Sequence, residues 1–112
     1  PTMARGYECL FHINGQVQLM RWNGPFGSPL GFIEIPGATG SKSLGRALVT
    51  GDVIKATING NTIRAYINDM TTPLSQVTDS TWPMGQPGIG FFKRTTGVNG
   101  GFAITSYTAS SF

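Results

Sequence analysis

Charge is scarce in this chain. Asp, Glu, Lys and Arg make up only 12% of its 112 residues, about half the share usual in globular domains. The bases do not cluster: Arg5, Arg21, Lys42, Arg46, Lys55, Arg64, Lys93 and Arg94 are scattered along the sequence, unlike the basic stripe of a nucleic-acid binder. Cysteine is rarer still. Cys9 stands alone, so neither an intrachain disulfide nor a multi-cysteine zinc site can form. The sole histidine, His12, lies three residues further on. On a strand the two side chains leave opposite faces, which argues against a Cys–His nucleophile. No apolar run approaches the roughly 20 residues of a helical membrane span, and no charged-then-apolar leader is visible. The expectation is a soluble chain that partners neither membrane nor nucleic acid. Helical periodicity is missing as well, since apolar residues nowhere recur at helical spacing over a long stretch free of Gly and Pro.

Turn formers are abundant instead. Sixteen Gly and seven Pro are spread without a collagen-like period, and 39% of the residues are apolar, a composition that suits short strands joined by tight turns rather than disorder. The length fits a single domain over residues 1–112, because either half alone would hold too little core. With so few charges, the surface must be neutral and polar, built from Thr, Ser, Asn and Gln. Such a surface suits neutral ligands such as carbohydrate.

Two hairpins organise the chain. Residues 7–13 and 16–22 flank Asn14-Gly15, which reads as a two-residue turn with positive φ at both positions. That turn predicts a register: Ile13 opposite Gln16, Phe11 opposite Gln18, Cys9 opposite Met20 and Tyr7 opposite Trp22 on one face. On the other it sets His12 opposite Val17, Leu10 opposite Leu19 and Glu8 opposite Arg21. Both faces carry apolar residues, which leaves open which one is buried. The second hairpin, 53–59 and 62–68 around Gly60-Asn61, alternates more cleanly. Ile54, Ala56, Ile58, Ile63, Ala65 and Ile67 share one face; Lys55, Thr57, Thr62, Arg64 and Tyr66 share the other, the pattern of an antiparallel sheet wet on one side. A short strand is expected at 30–35 between the loops 23–29 and 36–43, and either a strand or one helical turn at 44–49. Further strands are expected at 74–78, 88–93 and 102–109, with turns at 83–87 and 95–101. This makes about eight strands, a number that suits an all-β antiparallel sandwich.

Residues 51–92 read GDVIKATINGNTIRAYINDMTTPLSQVTDSTWPMGQPGIGFF. A strand passes through Gly60-Asn61 into a strand ending at Asn68, then come a short strand, an Asp79-Ser80 turn and a Gly-x-x-Gly-Ile-Gly run at 85–90. This stretch resembles the C-terminal part of concanavalin A-like, laminin G-like β-sandwich domains. Residues 101–110 are similar to the closing strand of that family, and 7–22 more loosely to the preceding hairpin. The resemblance implies a jelly-roll sandwich, carbohydrate recognition, and a place outside the cell or at its surface. Two departures qualify what it implies. The family's domains are longer, their N-terminal strands have no counterpart here, and the chain starts at Pro1-Thr2. It is therefore expected to be a fragment or an incomplete version of a larger sandwich. Another chain, self-association or a different N-terminal segment would then complete it. Many relatives also carry acidic residues in the final strand, where this chain has Thr105 and Ser106. Calcium needs several hard oxygen ligands, usually with carboxylates among them. With only Glu8, Glu34, Asp52, Asp69 and Asp79 to draw on, a calcium site is disfavoured and no cofactor is expected.

Catalysis is disfavoured too. A glycosidase of this general fold needs paired carboxylates flanking one glycosidic bond; Glu8 and Glu34 are isolated in sequence, and the expected register gives Glu8 a cross-strand partner in Arg21. No nucleophile-elbow motif accompanies His12. Sugar binding needs aromatic platforms and oriented polar groups, which singles out Tyr7, Trp22, Arg64, Tyr66 and Trp82. Each has a competing role: the tryptophans as packing residues, and Tyr66 with Lys55 and Arg64 as a solvated hairpin face. Asp79 reads as the cap of its own turn. Two readings follow. The first is a non-catalytic carbohydrate-binding module. The second is a structural or assembly domain whose sheet edge or hairpin face meets a partner chain or a second copy.

Overall fold

A computed structural model describes residues 3–25 and 31–82. They form two antiparallel three-stranded sheets, and no α-helix occurs among the described residues. The first sheet holds β1 (Met3–Phe11), β2 (Val17–Pro25) and β3 (Phe32–Glu34) in that order; the second holds β4 (Ile54–Asn59), β5 (Thr62–Ile67) and β6 (Ser75–Thr78), again in chain order. The expected strands at 88–93 and 102–109 and the turns at 83–87 and 95–101 lie outside the described residues.

The second hairpin pairs as its alternation predicts, with Ile54 opposite Ile67, Ala56 opposite Ala65, Ile58 opposite Ile63 and Asn59 opposite Thr62. Gly60 has φ +63° while Asn61 does not take a positive φ, the pattern of a type II′ turn with Gly at its first central position. β6 then returns beside β5, placing Val77 opposite Ile63 and Ser75 opposite Ala65.

The first hairpin departs from its expected register by one residue. Tyr7 stands opposite Arg21, Glu8 opposite Met20, Cys9 opposite Leu19, Leu10 opposite Gln18 and Phe11 opposite Val17. The connection is a three-residue loop. Gly15 N–H donates to the His12 carbonyl at 2.9 Å and His12 N–H to the Gln16 carbonyl at 2.8 Å. Gly15 has φ +91°, and Asn14 is not among the positive-φ residues. This is a type I turn closed by a left-handed glycine, the second common hairpin geometry. The physical reason is the period-2 rule: a one-residue slip exchanges faces. In the expected register Phe11 shares a face with Gln18, and Val17 with His12. The observed register gathers Tyr7, Cys9, Phe11, Val17 and Leu19 on one face and His12, Gln18 and Glu8 on the other. The expected Glu8–Arg21 pair is thereby lost.

Val17, Leu19, Ile35, Ile63, Ala65, Ile67 and Val77 form the buried core between the sheets, with Tyr7, Cys9, Phe11, Leu44, Leu48 and Leu74 packed around it. Cys9 and His12 fall on opposite faces, as expected, and burial pushes the Cys9 thiol pKa up to about 12. The connection from β3 to β4 stitches the sheets together. Thr39 exchanges backbone hydrogen bonds with Gln76 on the open side of β6, Lys42 N–H reaches the Leu74 carbonyl, and Val17 N–H the Lys42 carbonyl. Residues 44–49 form neither of the two expected alternatives. Leu44 N–H instead bonds the Gly15 carbonyl and Leu48 N–H that of Ile13, fastening the first turn. Arg46 holds Asp52 through two hydrogen bonds of 2.8 and 2.9 Å.

Candidate functional site

The register of the first sheet decides what its outer face displays. Even-numbered residues of β1 and β2 lie on the side away from the main core, where Met20 is nonetheless buried, and β3 continues the rows: Met20 stands opposite Glu34 and Trp22 opposite Phe32. Glu8, Met20 and Glu34 therefore share one row, the two carboxylates two strand spacings, roughly 10 Å, apart at the backbone.

At one end of this face lies an open cleft of about 450 Å³ lined by His12, Asn14, Gln16, Gln18, Glu34 and Lys42. Its polar groups hold one another in place. His12 Nε2 lies 2.7 Å from Gln18 Oε1, a bond in which the ring N–H donates and which turns the amide nitrogen of Gln18 toward Glu34 Oε2 at 3.3 Å. Asn14 Oδ1 accepts Gln16 N–H at 3.0 Å. Amide, carboxylate, imidazole and ammonium groups thus stand side by side as a mixed set of donors and acceptors. At the other end, Trp22 meets Phe32 edge to face at 82°, and its indole N–H donates to Glu8 Oε2 at 2.8 Å. Among the described residues no three His, Cys, Asp or Glu side chains converge in a metal-binding group.

The five residues expected from the sequence go to three places. Trp22 is on this outer face. Tyr7 and Trp82 meet at a tie between the sheets: the Tyr7 hydroxyl donates to Asp79 Oδ1 at 2.6 Å and accepts Trp82 N–H at 3.0 Å, and Trp82 Nε1 donates to the Trp22 carbonyl at 3.0 Å. Arg21 completes the tie with an ion pair to Asp79. Asp79 also accepts Thr81 N–H at 2.9 Å, capping its own turn as expected. Burial opposes the Asp79 charge, but hydrogen bonds from Tyr7 and Thr81 and the Arg21 guanidinium outweigh it and hold the pKa at about 2. Burial, with the adjacent Asp79 carboxylate, moves Tyr7 the other way, above its ordinary value. A small hollow of about 200 Å³ opens beside the tie, between Trp82, Asp79, Ser80 and the Gly60-Asn61 turn. Arg64 and Tyr66 lie on the far face of the second sheet. Arg64 Nε donates to Gln76 Oε1 at 2.9 Å, and Tyr66 is buried with the Lys55 ammonium 4.2 Å from its ring centroid.

No known relative guides this assignment. The chain matches no family model, and no curated protein or solved structure is significantly similar to it.

The sequence does not mark His12, Asn14, Gln18, Glu34 and Lys42 as binding residues; His12 and Glu34 are weighed there only as catalytic or calcium-binding groups. The signal exists as polar residues at 12, 14, 16 and 18 flanking the turn, but it becomes a cluster only in the observed register. The expected one puts His12 and Gln18 on opposite faces.

Proposed function

We propose that this chain is a non-catalytic carbohydrate-binding module of the concanavalin A-like sandwich type, and that the outer face of the first sheet takes a neutral glycan without metal. Two antiparallel three-stranded sheets around one core support that reading. The observation that carries the reading is the cleft whose polar side chains are fixed by mutual hydrogen bonds on the same face as an aromatic pair. Such a site offers hydroxyl groups matched donors and acceptors at little ordering cost, and offers a sugar ring an apolar contact. Glu8 and Glu34 then act as hydrogen-bond acceptors. A location outside the cell or at its surface, where glycans are displayed, follows from this reading.

The test is calorimetric titration with a panel of neutral oligosaccharides in the presence of EDTA. Binding is expected in the micromolar to millimolar range, weakened about tenfold or more by Gln18→Ala, a loss of about 1.4 kcal/mol, and less by Arg64→Ala on the far sheet. Failure of every oligosaccharide to bind at millimolar concentration would overturn the proposal. Release of reducing sugar that is lost in Glu34→Gln would overturn its non-catalytic part.

A further inference from the structure

The two outer strands of the second sheet are treated differently. β6 is sealed by the bridge between Thr39 and Gln76. Among the described residues β4 pairs with β5 alone. The two-residue turn at Gly60-Asn61 makes Asn59 and Thr62 a hydrogen-bonded pair. The same holds for Thr57 with Arg64 and Lys55 with Tyr66, and Asn68 N–H bonds the Val53 carbonyl at 2.7 Å in phase with them. The backbone N–H and C=O groups of Ile54, Ala56 and Ile58 therefore point outward from the sheet edge.

The side chains of these residues lie on the core-facing side, opposite buried Ile67, Ala65 and Ile63. Among the described residues the first sheet meets the second chiefly through β2 against β6 and β5. Ile54 and Ile58 accordingly remain 39% and 44% exposed. Proteins commonly blunt such an edge with a lysine. Here Lys55 is folded away, its ammonium donating to the Met70 carbonyl at 2.8 Å and resting over Tyr66. Among the described residues the edge combines unpaired strand geometry, apolar side chains and a disengaged charge.

We propose that the β4 edge is a self-association surface on which a second copy of this chain pairs antiparallel, about a two-fold axis through Ala56. The sequence of β4 is self-complementary in that register. Ile54 faces the partner's Ile58, and the small Ala56 sits on the axis, where two side chains must share one space. On the opposite side Lys55 falls across from the partner's Thr57, so the two ammonium groups are not paired with each other. Each outward-pointing residue exchanges both of its backbone hydrogen bonds with its opposite number. The closed two-fold arrangement consumes the β4 edge of both copies.

Two measurements on the full chain test this. Light scattering over a dilution series is expected to show a dimer. Ala56→Pro, which removes an outward N–H without touching the β4–β5 ladder, and Ile58→Lys should each raise its dissociation constant tenfold or more, with far-UV circular dichroism unchanged. Cysteine pairing then reads the register. Ala56→Cys should form a disulfide-linked dimer on mild oxidation, since directly opposed strand residues lie within disulfide reach. Ile54→Cys and Ile58→Cys should cross-link when mixed and not alone. A monomer at millimolar concentration overturns the proposal, whether the amides of Ile54, Ala56 and Ile58 exchange freely or are protected by another segment of the same chain. A dimer indifferent to both substitutions and without the expected cross-links also overturns it.

Discussion

The two hairpins of this protein are close in sequence style and opposite in how their register is set. Each turns on an Asn and a Gly, in the order Asn14-Gly15 in the first and Gly60-Asn61 in the second. In the second, alternation is strict, so only one pairing puts the isoleucines on a common face, and local pattern and tertiary packing agree. In the first, both faces carry apolar side chains. Local pattern then leaves the register loosely specified, and the core chooses the pairing that brings Phe11 to Val17 and Cys9 to Leu19. The lesson is that a turn dipeptide sets a register only where the flanking strands have one face to lose.

The glycines of the two turns give the largest contrast. A Cβ on Gly15 would stand 2.0 Å from the Arg46 carbonyl oxygen, whereas a Cβ on Gly60 meets nothing within 4 Å. Both have positive φ, so Gly60→Ala should cost about 1 kcal/mol from backbone conformation alone. Gly15→Ala adds displacement of the 44–48 segment and should cost about 3 kcal/mol or more. Urea unfolding of both variants checks this, and equal costs would break the comparison by showing that the first turn is not fastened from above.

The tie between the sheets comes next. Tyr7→Phe removes the donor to Asp79 and the acceptor for Trp82 N–H, and should cost about 1–2 kcal/mol. It should also change the acid limb. Asp79 has a folded pKa depressed to about 2, below its unfolded value of about 3.9. Its stabilisation is therefore fully present above about pH 4 and is lost as pH falls toward 2. Asp52 is depressed as well, first by Arg46 and then by Asn68 and the Val49 N–H, and is lost in the same direction in either protein. Thermal melts between pH 6 and 2 should show a shallower acid loss in Tyr7→Phe than in the parent. Identical slopes would mean that the hydroxyl does not support the carboxylate.

The smallest effect tests the register itself. Deleting Ile13 leaves Asn14-Gly15 as a true two-residue turn between His12 and Gln16, without altering which strand residues face each other. If the core sets the register, the deletion should keep Tyr7 opposite Arg21, as read from cross-strand nuclear Overhauser contacts. The cost should be about 1 kcal/mol for the lost partner of Leu48 N–H. Turn and core then call for the same pairing, so a shift to Tyr7–Trp22 would show that neither of them sets the register.

Particular residues show where the sequence was legible. Gly60-Asn61 with its flanking isoleucines located β4 and β5 together with their pairing. Residues 30–35 and 74–78 contained β3 and β6, because short apolar runs bounded by Gly, Pro and Asp have few alternatives in a chain without helical periodicity. Asp79 was legible as a turn cap because an Asp-Ser turn is a local matter. Its partners Tyr7 and Arg21 lie 72 and 58 residues away, and no local pattern announces such a tie. The cleft of His12, Gln18, Glu34 and Lys42 was hidden for the same reason, compounded by the register.

What the sequence determined alone was the class of structure: β-strands from alternation and turn residues, little charge, and no disulfide within these 112 residues, because they hold a single cysteine. The tertiary structure decided which face of the first hairpin is buried, which polar side chains share a cleft, and that among the described residues β4 has an open edge while β6 is sealed. Those outcomes depend on contacts between segments distant in the chain. A one-residue slip costs little locally, but it exchanges every buried side chain for an exposed one.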